Sequence, residues 1–136
     1  DKDILNKIKF NYKHVGFIND EKKLAKLYNC ADVFLQPSKI DNLPQTAIES
    51  TACGTPVVSF NVGGMKDIID SDKNGYLVKA FNEKDYLNSV IKLLNSDDNK
   101  KKKIRKYCYS KAIRLWSLKV VALKYKNFYK KVIDEN

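Results

Sequence analysis

Short apolar runs alternate with amphipathic stretches over the first eighty residues, and amphipathic stretches alone fill the rest. The run ADVFLQP (31–37) is almost unbroken and reads as a parallel strand buried on both faces. YKHVGF (12–17), PVVSF (56–60) and GYLV (75–78) read as further strands. Between them lie helical spacings. Ile4, Leu5 and Ile8 share one face at the tail of a helix, and Leu24, Leu27 and Tyr28 share another, with Asn19 or Asp20 placed to cap it. A helix is expected over 46–52 and a shorter one after Gly64. Further on, Leu87, Val90, Ile91 and Leu94 form one stripe. Leu118, Val121, Tyr125, Phe128 and Val132 form a longer one, with lysines on the opposite face.

Helices alternating with short apolar strands predict the α/β class, with a parallel sheet flanked by helices. The expected organisation is a single domain over 1–136, with an α/β part at 1–80 and a helical part at 81–136. No apolar run approaches the roughly twenty residues of a membrane span. DKDILNKIKF lacks the apolar segment of a secretory leader, so a cytoplasmic location is expected. The first residue is Asp and the sole methionine is Met65, so the chain is read as a fragment of a longer one.

Cysteine and charge narrow the chemistry. Cys30, Cys53 and Cys108 are odd in number and lack CxxC spacing, which argues against a disulfide framework or a zinc site; they read as small apolar residues. The net charge is +10, concentrated in KKKKIRK (100–106). No nucleic-acid fold signature surrounds that cluster, so it reads as solvated helix surface or as a patch facing an anionic membrane. His14, Tyr107, Tyr109 and Trp116 read as structural, Trp116 anchoring the start of the last helix.

The stretch SKIDNLPQTAIESTACGTPVVSFNVGG (38–64) carries the candidate site. A helix starting near Leu43 and Pro44 and closing at Gly54 puts Asp41 just before its first turn and Glu49 nearly two turns inside. At about 1.5 Å per residue the carboxylates are on the order of 10 Å apart. First-turn amides lie between them, at the positive end of the helix dipole. Carboxylates bind hydroxyls and helix-start amides bind phosphate, so the layout suits a nucleoside diphosphate sugar. The plainer alternative makes Asp41 a cap and Glu49 a surface acid.

From VGFINDEK to NGYLV the chain resembles the C-terminal domain of glycosyltransferase family 4, and AIRLWSLKVVALKYKNFYKKVI resembles the closing helix of that family. The resemblance implies a Rossmann-like domain of the GT-B architecture, here without its beginning and its partner domain. The family's acid, seven residues, then Glu pattern falls on Asp41 and Glu49. By this resemblance Glu49 holds the donor ribose and Asp41 positions the hydroxyls of the transferred sugar. Asn42, Leu43 and Pro44 form the loop at sugar and phosphate, Pro44 through its carbonyl. Gly63 and Gly64 match the Gly-Gly turn of the family, whose plain role is a turn needing positive φ. The first acid is usually Glu in the family and is Asp here.

The implied reaction is retaining transfer of a hexose-type sugar to a hydroxyl acceptor, in bacterial polysaccharide or glycoconjugate synthesis, with no metal or cofactor. The acceptor, a glycan or lipid-linked molecule, is expected at the absent N-terminal domain, and the isolated chain is expected to be inactive. A position at the inner face of the membrane stays open. Counting YKHVGF as third in the order 3-2-1-4-5-6 leaves unpaired edges, so a rearranged sheet or a homodimer is expected. A GT-B epimerase of nucleotide sugars and a non-enzymatic basic module are the alternatives.

Overall fold

A computed structural model describes residues 9–135. The helix tail expected from Ile4, Leu5 and Ile8 lies outside the described residues. The elements run α1 (Glu21–Cys30), β1 (Phe34–Gln36), α2 (Gln45–Ala52), β2 (Val57–Phe60), α3 (Met65–Ile68), β3 (Gly75–Val78), α4 (Glu83–Leu94), α5 (Asp98–Trp116) and α6 (Leu118–Asp134). The three strands form one parallel sheet in the order β1-β2-β3, with Phe34 opposite Val57 and Val57 opposite Gly75.

The sheet is therefore sequential and not rearranged. YKHVGF is not a strand. Gly16 has φ +63, which breaks the extended run, and Phe17 is 90% exposed. β1 and β3 are the two edge strands; β1 is only half buried, β3 is buried at three of four positions, and the central β2 is buried at all four. ADVFLQP thus takes an edge and PVVSF the centre, although both read as equally apolar.

β2 separates two cores. Val58 and Phe60 pack with Tyr76, Val78, Tyr86, Leu93, Ile104 and Cys108. Val57 packs on the other side with Ala47, Met65, Ile68 and Ile69. The period of two sends successive side chains to opposite faces, so one strand needs helices on both. On α4 the buried residues are Tyr86 and Leu93, while Leu87, Ile91 and Leu94 of the expected stripe are exposed. The Tyr86 hydroxyl, donating to Val58 O at 2.9 Å, turns the helix to that face.

α5 runs beneath the amino ends of the strands. Arg105 donates to the carbonyls of Ala31 (3.2 Å) and Asn29 (2.7 Å) before β1, and Cys108 Sγ reaches Asn74 O (3.7 Å) before β3. Trp116 packs on the second core, the anchoring role expected of it. Tyr109 is exposed, and Tyr107 donates to Asp70 Oδ2 at 2.8 Å. Of the cysteines only Cys108 is buried; Cys53 is intermediate and Cys30 exposed, against the reading of all three as apolar packing. No described helix is long and apolar enough to cross a membrane.

Candidate functional site

With the amino ends of the strands closed by α5, the carboxyl ends are open. Three loops leave there: 37–44 after β1, 61–64 after β2 and 79–82 after β3. In parallel α/β sheets, ligands bind in the crevice outside these ends.

Gln36, the last residue of β1, organises the first loop. Its amide nitrogen donates to Ser38 Oγ at 2.8 Å and to Asp41 Oδ2 at 3.2 Å. Its Oε1 accepts from Thr46 Oγ1, in the first turn of α2, at 3.5 Å. One side chain thus ties Asp41 to the helix start. The sequence reading passed over Gln36; the signal was a polar residue closing an apolar strand at its carboxyl end.

The second loop holds the first by backbone contact. Gly64 N donates to Asn42 O at 2.6 Å. A Cβ at Gly63 would lie 1.7 Å from Asp41 O, and one at Gly64 would lie 2.3 Å from Asn42 O. Only Gly63 has positive φ, +50, while Gly64 has φ −84. The pair therefore meets a packing demand more than a turn demand: two backbones touch where any side chain would intrude.

Pro44 is the cap residue of α2, and no side-chain hydrogen bond caps that helix. The first-turn amides point toward the open end, where the helix dipole favours negative charge. The structure overturns one detail. Pro44 O accepts from Ala47 N (3.2 Å) and Ile48 N (3.3 Å), and Pro44 is buried, so its carbonyl belongs to the helix and not to a ligand. Asn42 and Leu43 are exposed, and Asp41 is half buried.

Glu49 is exposed on α2, one turn beyond Thr46, and accepts from the Tyr28 hydroxyl at 3.3 Å. Burial, followed by the Glu49 charge, pushes the Tyr28 hydroxyl up to about 12. The same two causes, in the same order, raise the Cys53 thiol. Glu49 and Thr46 line a cavity of about 430 Å³ with Val15, Phe17, Leu24 and Tyr28. Asp41 does not line that cavity; the link between the acids runs through Gln36 and Thr46. Asp41, Asn42, Gly63 and Gly64 thus form one cluster, Thr46 and Glu49 a second, and Gln36 joins them.

The lysine-rich stretch does not form a single face. Arg105 is committed to backbone carbonyls, Lys101 lines a small cleft with Asp32 and Pro56, and Lys102, Lys103 and Lys106 are exposed.

A sequential parallel sheet flanked by helices, with loops meeting at the carboxyl ends of the strands, defines an α/β domain of the Rossmann-like class. Its family is shown by sequence. The pattern described as "Glycosyl transferases group 1" matches residues 6–111, and the chain belongs to that family. It is 38% identical over 77 residues to D-inositol 3-phosphate glycosyltransferase 2 of Catenulispora acidiphila, covering 57% of this chain and 18% of that protein. It is 35% identical over 98 residues to spore coat protein SA of Bacillus subtilis, covering 69% and 26%. Among solved structures, sucrose-phosphate synthase of Thermosynechococcus elongatus superposes with a TM-score of 0.80 at 27% identity, over 91% of this chain and 31% of that one. The C-terminal domain of the Francisella tularensis glycosyl transferase group 1 family protein LpcC gives 0.65 at 25% identity, over 76% and 53%. The fold is that of GT-B glycosyltransferase C-terminal domains, and the chain spans well under half the length of the curated relatives it matches.

Proposed function

We propose that these residues form the donor-binding part of a retaining family 4 glycosyltransferase that moves a hexose-type sugar from a nucleoside diphosphate to a hydroxyl acceptor. The observation that carries the reading is the placement of Asp41 beside the uncapped start of α2, with Glu49 farther along the same helix. Anionic diphosphate suits the amides at the helix start, and carboxylates suit the hydroxylated groups on either side.

In this reading Glu49 takes the ribose diol, and Asp41, held by Gln36, fixes the sugar hydroxyls. The backbone of Asn42 and Leu43 approaches the sugar and phosphate, and the contact at Gly63 and Gly64 holds that loop in place. As the bond from the anomeric carbon to the diphosphate breaks, negative charge grows on the leaving oxygens. The fixed dipole of α2 then stabilises it better than mobile water does. Asp41 acts as a positioner, contributing through orientation. The acceptor, a glycan or lipid-linked molecule, would be held by the remainder of the parent enzyme, in bacterial polysaccharide or glycoconjugate synthesis at the cytoplasmic side of the membrane.

The test is calorimetric titration of UDP, GDP and ADP into the 136-residue chain. We expect saturable binding of at least one, weakened more than tenfold by Glu49→Ala and little changed by Lys102→Glu with Lys103→Glu. The reverse pattern would make the chain a basic binding module and overturn the proposal. Incubation with a nucleotide sugar should give no turnover by the isolated chain.

A further inference from the structure

We infer that Tyr28 is a positioning residue of the donor site, holding Glu49 Oε2 so that the carboxylate presents one fixed orientation to the ribose diol. The inference rests on the reading of Glu49 given above and adds a residue to which that reading assigns no role.

The geometry is a tether anchored well away from the ligand. Tyr28 lies on α1, which is capped by Asp20 Oδ1 accepting from Lys22 N (2.9 Å) and Lys23 N (3.1 Å). The buried Thr55 hydroxyl donates to Tyr28 O at 2.5 Å, joining the turn after α2 back to α1. The Tyr28 ring stands edge-on to Phe34 of β1, with centroids 5.5 Å apart. Backbone and ring are therefore fixed by two different elements, and the hydroxyl is the part left to act. It lines the same cavities as Glu49, one of about 260 Å³ bounded by Leu24, Ala52 and Cys53 and the larger one described above.

Glu49 needs such a partner. It is exposed on a helix surface, where a free glutamate populates several rotamers and loses that freedom when it binds. A hydroxyl on Oε2 removes part of that loss beforehand and leaves Oε1 for the ligand. Tyr28 stays a donor throughout the neutral range, because burial and the Glu49 charge hold its proton. The hydroxyl stands 3.3 Å from Oε2, within hydrogen-bond reach of the carboxylate it orients.

The experiment titrates UDP, GDP and ADP, each paired with its 2′-deoxy analogue, into the 136-residue chain and its variants. Tyr28→Phe keeps the ring on Phe34 and removes only the hydroxyl; its thermal midpoint reports whether the fold is kept. We expect Tyr28→Phe to weaken the bound ribonucleotide about three- to tenfold, to weaken the 2′-deoxy analogue less, and so to shrink the ribo-to-deoxy ratio at least twofold. In a Glu49→Ala background Tyr28→Phe should add no further loss. An equal loss for both nucleotides, or an undiminished effect without Glu49, would make Tyr28 merely structural and overturn the inference. If the unmutated chain and Glu49→Ala do not differ in ribo-to-deoxy preference, the donor-site reading itself fails, an outcome separate from the first.

Discussion

The two ends of the sheet solve opposite problems with the same kinds of residue. At the amino end, polar groups are turned inward and paired. Asn74, fully buried, donates to Ile68 O at 2.8 Å and accepts from Asp70 N at 2.7 Å. Lys111, 4% exposed, meets Asp70 Oδ2 at 2.9 Å, where Tyr107 also donates. Burial alone would raise the Asp70 carboxyl; the Lys111 and Tyr107 hydrogen bonds outweigh it and hold it below its ordinary value. Among the described residues no buried side-chain nitrogen or oxygen lacks a partner. On the other side, Asp41 is half buried before the start of α2 and Glu49 is exposed farther along that helix, and their partners Gln36 and Tyr28 orient them without closing them off. A polar cluster paired against a buried lysine and asparagine holds a fold together, whereas one held from behind and open in front is free to hold a ligand.

The sharpest break in that contrast is Lys111→Ala. Removing one member of a buried pair commonly costs 3–5 kcal/mol, but the Asp70 side chain is 37% exposed and can rehydrate, so about 2 kcal/mol is expected. Thermal unfolding should show a fall in Tm of roughly 6–10 °C, with nucleotide affinity nearly unchanged below the transition. Gly63→Ala should add a loss of binding to a loss of stability. Its Cβ would meet the backbone oxygen of Asp41 at a residue of positive φ and force the loop away, for a stability loss of about 1–3 kcal/mol and a drop in nucleotide affinity of more than tenfold by calorimetry. Equal effects on both properties in both variants would erase the distinction between the ends.

A smaller effect follows from pH. The folded Asp70 carboxyl titrates below its unfolded value of about 3.9, so its contribution is present above that pH and lost as pH falls through the folded value. Urea midpoints should therefore drop more steeply below about pH 4 in the native chain than in Asp70→Asn. The smallest effect is expected in α6. That helix has no buried residue, and Leu118 is 87% exposed. Phe128→Ser should change stability by less than about 0.5 kcal/mol, as judged by the urea midpoint.

Much of the fold was legible because local physics repeated it. Asp20 capped α1 as its residue type suggests, Gly54 closed α2, and GYLV became β3 at the residues read. The two acids of the site stood out by their spacing around a helix start. Their helpers did not: Gln36 is 5 residues from Asp41 and Tyr28 is 21 from Glu49. Neither spacing carries a periodic signal, because each contact depends on how β1 and α1 pack against α2. The apparent stripe on α4 misled for a similar reason, since hydrophobicity alone weighted Leu87 above Tyr86, whose hydroxyl found a buried carbonyl.

By itself the sequence determined the alternation of strands and helices, the α/β class and the two carboxylates bracketing a helix start. These follow from side-chain period, capping chemistry and backbone freedom, which act over a few residues. Only the tertiary structure decided which apolar strand lies at the centre, that Pro44 belongs to its helix, that Gly63 and Gly64 press against another loop, and which side chains hold the acids. Those outcomes depend on which distant surfaces exclude one another's atoms and pair one another's polar groups, and no local pattern encodes that.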